Sequence, residues 1–491
     1  MRSFLWCILL GLVAWPTLAQ GDVLSTLPPC NFAPLNNGTQ MRVGAVVYDF
    51  ETGQGCAQRL DEVFNTASVP KLFVAGAYYD WLVQGLIRIN APLTFTRDYW
   101  MAGPNDCLRE ENIGTAYRGN DLLEAMINCS DNAATWMLMD AVGWGTVNQY
   151  IQSFGIAGIG EVVPYSAVDR MKLGMLDDAW MRVPLGLASR YYRAGLTAGL
   201  ERFLTTVPTE RLTRREQISA NMDYYLLYNT NTLTPRAMAT YFMRLREALV
   251  NQPASREGMV ARLLFDVMSY TQRLNSVQAL DGTVLVGGKN GFDFGIVAEA
   301  NVIFNAQRVP QAIVIVFTQQ TNLEHPDVQR PSPFRGPLNA YVRDLSDDIA
   351  AMLGQNEEPP PLTADLRVAH VLVQGQSAIA GCWQPYRQSS FSEAQVDRLE
   401  ACFRGYLPQR RFSSGANAAV GVILRGLNGN DTRAVFVFNA PDGQRYSYQA
   451  DRRYQDKTGI YVYHPVEQVG RWELDIYVDF QRVDRQSFFV E

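Results

Sequence analysis

Four lysines occur in this 491-residue chain, and two of them stand where a serine acyl-transfer site would need them. Lys71 closes Ser68-Val69-Pro70-Lys71, the one place where a serine has a lysine three positions on. Lys289 opens Lys289-Asn290-Gly291, directly after the apolar run Val284-Leu285-Val286 and two glycines. Between them lies Ser130-Asp131-Asn132. With lysine this scarce, a chance match of serine and lysine at that spacing is rare. A serine hydroxyl is a poor nucleophile until a base removes its proton. Three residues apart at a helix start, Ser68 and Lys71 share a face. A lysine buried there beside a second cation is pushed toward the neutral amine, which makes it a usable base. The helix N-terminus favours negative charge building up near Ser68. Attack by Ser68 on a carbonyl carbon is the chemistry these residues could do.

In this order the three motifs resemble those of the penicillin-recognising serine enzymes, class A β-lactamases most closely. The resemblance covers roughly residues 35–355 and implies a role for each residue. Ser68 would be the nucleophile and Lys71 its base. Ser130 would relay a proton to the leaving nitrogen, and Asn132 would hydrogen-bond the substrate's side-chain amide. Lys289 would supply positive potential for a substrate carboxylate and tune Ser130. Gly291 would let substrate backbone approach closely. The backbone N–H groups of Ser68 and Phe292 would form the oxyanion hole.

The chain departs from that pattern in three places. Asn290 stands where the family carries threonine or serine. The loop glutamate that activates the deacylating water is missing, since its place falls near Ser166; Glu161 and Asp169 are the nearest carboxylates and the candidate substitutes. The stretch from Ser130 to Lys289 is longer than the resemblance implies, with an insertion around residues 160–225. A literal Lys457-Thr458-Gly459 also exists, but it follows a polar stretch and reads as a hairpin turn outside the site.

Several elements must position these residues. Met41–Phe50 reads as a strand, as do Val284–Gly288, Gly295–Phe304 and Ala312–Thr318. Ser68 starts a helix, with Pro70 in its first turn where the missing N–H is not needed. That helix, apolar almost all round from Leu72 to Leu82 apart from Asp80, belongs in the middle of a domain. Asp131 is a fitting N-cap for Ala133–Val142, and Pro337–Leu353 returns to helical spacing. The fold class expected is α/β (α+β), a β-lactamase-like or transpeptidase fold with an antiparallel sheet flanked by helices, followed by an all-β, sandwich-like domain. Asn231 to Thr240 also resembles a helix start of class A enzymes.

The domain division expected is a signal peptide over 1–19, an N-terminal extension over 20–40, the serine hydrolase domain over 41–355, a proline-rich linker over 356–365 and a β-rich, immunoglobulin-like domain over 366–491. In the last, Ala419–Leu424, Ala434–Asn439, Ile460–His464 and Trp472–Val478 alternate between turn signals such as Asn428-Gly429 and Asp442-Gly443. Asn356-Glu-Glu-Pro-Pro-Pro361 is a stiff, polar boundary. Arg2, the apolar stretch Phe4–Val13 and Thr17-Leu18-Ala19 form an export signal, so the mature protein is expected in the periplasm or outside the cell. No further run is long enough to span a membrane.

A hydrophobic content of 47% with 19% charged residues describes a globular protein. A formal charge of −6 argues against nucleic-acid binding, which wants a basic face. After the signal, six cysteines remain, and their even number in an oxidising compartment suggests disulfides. Sequential pairing, 30–56, 107–129 and 382–402, keeps each bridge within one region; the alternative for Cys129 is a buried free thiol beside the site. Of the three histidines only His325 precedes the linker, in a polar loop before Pro326, which disfavours a Ser-His-Asp triad. No Cys/His spacing suits a metal and no glycine loop suits a phosphate, so no cofactor is expected. The reading is an exported, β-lactamase-like serine hydrolase acting on β-lactams or related amides. The rivals are a D-alanyl-D-alanine peptidase acting on cell-wall peptides and a poorly catalytic binding or sensing module on the same fold. The C-terminal domain is a candidate for binding the cell envelope or another protein.

Overall fold

A computed structural model describes residues 23–32, 41–102, 107–201, 203, 207, 212–269, 274–280, 284–305, 307–320, 337–353, 367–374, 411–413, 416–425, 434–442, 445–449, 457–466, 468–478 and 481–491. The expected signal peptide, the proline-rich linker, His325, the Asn428-Gly429 turn and the pair Cys382 and Cys402 lie outside the described residues.

One antiparallel sheet organises the first part of the chain, in the order β2-β1-β9-β8-β7, where β1 is Met41–Asp49, β2 Gly55–Gln58, β7 Leu285–Asp293, β8 Ile296–Phe304 and β9 Pro310–Gln320. Successive side chains of a strand point to opposite faces, and both faces of this sheet are covered. Val43, Ala45 and Val47 of β1, with Val314 and Val316 of β9, pack with Val342, Leu345 and Ile349 of the closing helix α10, Pro337–Leu353. Val46, Ile313, Ile315 and Phe317 face the opposite way, into the larger core. Burial on both faces explains why β1 and β9 read as nearly unbroken apolar runs.

Helices build that larger core. Helix α1 (Lys71–Val83) is buried from Lys71 through Asp80 and is surrounded by α2 (Gly119–Asn128), α3 (Asn132–Val142), α4 (Trp144–Ser153) and α9 (Arg256–Met268). Asp80, the one charged residue between Leu72 and Val83, is held by two nitrogens of the Arg256 guanidinium at 2.5 Å. Helix α8 (Pro235–Asn251) starts as its sequence suggests, with Thr234 capping the Ala237 N–H and proline in the first turn. Two short ladders, β3 (Phe64–Asn65) with β6 (Thr232–Leu233) and β4 (Pro92–Thr94) with β5 (Ala116–Arg118), tie loops to this layer. The segment before β1 joins in: Leu24 is in the main core and Cys30 is bridged to Cys56 of β2.

The insertion forms α5 (Tyr165–Leu176), a 3₁₀ turn Asp178–Arg182, α6 (Leu185–Ala194) and α7 (Arg214–Leu227). Leu173, Trp180, Val183, Ala188, Tyr191 and Leu200 give it a small core of its own.

The regular elements among the described residues of the C-terminal part are all strands. One antiparallel sheet joins β10 (Arg367–Gln374), β12 (Ala416–Arg425) and β15 (Lys457–Val466). A second has the order β11-β17-β16-β13-β14, with β11 Arg411–Phe412, β13 Ala434–Asn439, β14 Arg445–Gln449, β16 Gly470–Val478 and β17 Gln481–Val490; only β11 and β17 pair in parallel. His464 of β15 packs against Phe438, Tyr446 and Trp472 of the second sheet, and Val466 enters that sheet's core, so the two sheets face each other. Lys457-Thr458-Gly459 is not the hairpin turn expected. These residues begin β15 and pair with Arg425, Leu424 and Ile423, as an edge strand can do with polar residues.

Candidate active site

Ser68 lies in the turn that leads into α1, one step ahead of the helix that the sequence suggests. The N–H groups of Val69, Lys71, Leu72 and Phe73 donate three residues back, at 3.0 to 3.2 Å, and the regular helix begins at Lys71. Pro70 lacks an N–H and disfavours helical backbone in the residue before it, which accounts for the tighter lead-in. The Lys71 N–H donates to the Ser68 carbonyl at 3.2 Å, so motif spacing and turn geometry coincide.

Across from this turn, Ser130 sits between α2 and α3. Asp131, fully buried, caps α3 through Ala134 N–H at 2.7 Å and accepts from Leu108 N–H at 2.8 Å. The Cys107–Cys129 disulfide staples the same two segments together. Both bridges fixed here are the sequential pairs expected, and Cys129 is therefore not a free thiol.

Two amines meet the Ser130 hydroxyl. Lys71 Nζ lies 3.2 Å and Lys289 Nζ 3.0 Å from Ser130 Oγ. Both lysines are only 1% exposed. Lys71 also donates to the Ser130 carbonyl at 2.5 Å and to Asn132 Oδ1 at 2.7 Å. Asn132 thus meets the Lys71 amine through its side-chain oxygen. Burial holds the Lys289 amine down at about 7, against 10.5 in water. Lys289 donates to the carbonyl and side-chain oxygens of Asn290 at 2.8 and 3.1 Å, so an amide here does what a hydroxyl could not: it accepts from the lysine and still offers two donors.

Lys289, Asn290, Gly291 and Phe292 all lie in β7, an edge strand, in register with Ala300 to Val297 of β8. A Cβ at Gly291 would come within 2.1 Å of the Thr66 carbonyl and 2.7 Å of the Ser68 nitrogen. Only glycine permits this approach. It brings β7 flush against the peptide that carries Ser68, with Phe292 next in line.

Backbone strain collects around this contact. Ala67, Ser130 and Asn231 have φ of +44°, +56° and +50°, a region that costs a residue with a side chain about 1 kcal/mol. Each is held. Ala67 N–H donates to Asn65 Oδ1 at 2.9 Å, and its carbonyl accepts from the Tyr165 hydroxyl. Asn231 exchanges two hydrogen bonds with the backbone of Val163, at 3.0 and 3.1 Å.

Tyr165 is the residue that sequence reasoning missed. It is buried against Met101 and Trp136, its ring lies 5.3 Å from Lys71 Nζ, and its oxygen is within reach of the Ser68 hydroxyl. Burial foremost, then the Asp293 charge, pushes the phenol far above its ordinary range. The place where a glutamate is expected is otherwise filled by Ser166, fully buried. Asp169 is buried too, with one oxygen on Ser189 Oγ and Arg193 Nε, each at 2.6 Å. Glu161 is exposed, and its backbone pairs with Asn229 and Asn231. The insertion thus brings a tyrosine against Ser68.

A third lysine supports the site from the insertion. Lys172 of α5 is 3% exposed, lies 5.1 to 5.8 Å from the ring centres of Tyr192, Tyr224 and Tyr225, and approaches Asp293 Oδ2 at 3.4 Å. Tyr225 donates to the same carboxylate oxygen at 3.1 Å. Asp293 ends β7, so α5 and α7 hold the tip of the strand that bears Gly291 and Phe292. No three-residue cluster of metal-ligating side chains occurs among the described residues, and no helix there is long and apolar enough to cross a membrane.

Comparison with known proteins places the chain in a family. A family model described as the β-lactamase enzyme family matches residues 32–350. β-Lactamase ROB-1 of Haemophilus influenzae, and the same protein of Mannheimia haemolytica, are 32% identical over 119 residues, 24% of this chain. The match spans 37% of those relatives' length. Among solved structures, an ancestral class A β-lactamase aligns at 20% identity and a TM-score of 0.42, over 63% of this chain and 94% of that one. A variant of PBP-A in an acyl-enzyme complex with penicillin G aligns at 18% identity and a TM-score of 0.40, over 63% and 91%. The family match takes in the sheet, the helical layer and every residue of the site just described, and the chain belongs to the β-lactamase enzyme family.

Proposed function

We propose that the protein is an exported serine hydrolase that recognises penicillins, forming an acyl-enzyme at Ser68 with β-lactam or related amide substrates. The observation that carries this reading is the Ser130 hydroxyl shared between two buried lysine amines. Ser68 Oγ attacks the lactam carbonyl and gives its proton to the Lys71 amine. The Ser68 and Phe292 N–H groups take up the developing oxyanion. As the C–N bond breaks, Ser130 protonates the nitrogen and is itself reprotonated from Lys71. Lys289 and the Asn290 NH₂ group hold the substrate carboxylate, and Asn132 holds its side-chain amide.

Release requires water to attack the ester carbon while a base takes its proton. General-base help is typically worth about 10²–10⁴-fold. A neutral tyrosine, not a carboxylate, lies against Ser68, and Asp169 is committed to Arg193. Hydrolysis is therefore slow. Stopped-flow kinetics with a chromogenic cephalosporin should show a burst of about one equivalent, then slow turnover with the acyl-enzyme visible for seconds. Turnover without a burst would contradict this. The same tyrosine favours a D-alanyl-D-alanine peptidase as the second reading, which rapid release of D-alanine from a cell-wall peptide would support.

A further inference from the structure

We propose that Tyr165 is a positioning residue for the oxyanion hole: by donating to the Ala67 carbonyl, its hydroxyl orients and polarises the one peptide unit whose N–H belongs to Ser68. The proposal rests on acyl transfer at Ser68. A peptide is planar, so the Ala67 oxygen and the Ser68 N–H point in opposite directions from one rigid group. Whatever fixes the oxygen therefore fixes the N–H. A donor on the oxygen also draws electron density through the amide and makes the N–H a stronger donor in its turn.

The site needs such a restraint. Ala67 is in the left-handed region, φ +44°, from which a residue with a side chain tends to relax. Its N–H is held by Asn65 at 2.9 Å and its carbonyl by Tyr165, one contact on each side of the strained residue. Rotation of this peptide would carry the Ser68 N–H away from β7, whose Gly291 is packed against that same nitrogen. Tyr165 in turn cannot drift: its ring is packed with Met101 and Trp136, and Val163, two residues earlier, is tied to Asn231 by two hydrogen bonds. Burial keeps the phenol protonated, so it remains a donor throughout the range in which the site works.

The test is stopped-flow acylation of the full-length protein and of Tyr165→Phe, which keeps the ring and removes the hydroxyl. Substrate binding and the acylation rate are separated by varying the cephalosporin concentration, and intact mass identifies the Ser68 adduct. The acylation rate should fall about tenfold, the size of one lost neutral hydrogen bond, while substrate affinity stays the same. An arylboronic acid, whose tetrahedral adduct places an oxygen in the hole, should lose affinity by a similar factor. A general loosening of the fold would weaken substrate binding instead. A wild-type adduct formed no faster than in Tyr165→Phe, or a variant that loses only substrate affinity, would overturn this proposal alone. Absence of any Ser68 adduct in the wild type would overturn the acyl-transfer reading and the proposal together.

Discussion

At Ser130 a strained residue carries one hydroxyl between two amines, and the two amines differ in what they can do. Lys289 is buried and its ammonium is disfavoured, with a value near 7 against 10.5 in water. Because the folded value is lower, the unfolded chain binds the extra proton between the two. Lys289 therefore costs stability in full below about pH 7, and that cost lessens as pH rises toward 10. Function runs the other way, since a substrate carboxylate is attracted only to the ammonium form. The acylation efficiency for a penicillin should therefore fall as pH rises above about 7 in the free enzyme, while the penicillin methyl ester should show a flatter profile. Superposable profiles measured by stopped flow would show that Lys289 does not meet the carboxylate. At this scale the sequence was informative because the chemistry is local in type: serine, lysine and glycine at fixed spacings. Tyr165 was not legible, since nothing in Pro164-Tyr165-Ser166 distinguishes it from an ordinary helix start. Its partner Ala67 is 98 residues away.

The elements around the site are held by unequal means. Cys107–Cys129 joins the segment of Leu108 to the turn that carries Ser130, and Asp131 bonds both. Cys30–Cys56 ties down β2, the sheet edge opposite β7. Each closes a loop of similar length, 22 and 26 residues, and each should contribute roughly 3 kcal/mol in the chain-entropy account. Their functional consequences should differ. Replacing Cys107 and Cys129 by alanine should lower the melting temperature and slow acylation. Replacing Cys30 and Cys56 should lower the melting temperature alone, with acylation unchanged wherever the protein is folded. Equal acylation rates in the two double variants would show that the disulfide does not position Ser130. Strands and flanking helices were readable because both faces of the sheet are largely apolar and α1 is apolar almost all round. The insertion was not, although Pro164, Pro184 and the Thr213–Glu216 capping box mark its helix starts. Its helices bury tyrosines, arginines and a lysine through specific pairs, and the pair that reaches the site, Lys172 with Asp293, spans 121 residues. No local pattern encodes such a contact.

Across the whole molecule, a β-lactamase-family unit is followed by a two-sheet module that lies outside the matched residues. The two meet at α10, where Arg343 stands 5.5 Å from the centre of the Tyr446 ring. Beside it His464 is held down to about 3, by burial first and then by Arg343, so it is neutral at ordinary pH and serves as packing. This contact is on the face of the sheet covered by α10, while Ser68 belongs to the helical layer on the other face. Among the described residues, the module therefore meets the first unit on the side of the sheet away from Ser68. Acylation of Ser68 is read most directly by intact mass spectrometry of the full-length protein after incubation with a penicillin. One adduct of the penicillin's mass is expected on the wild type, none on Ser68→Ala, and a much slower one on Lys71→Ala, with all three proteins folded. An adduct that persists on Ser68→Ala, or a wild-type protein that takes up none, would contradict it.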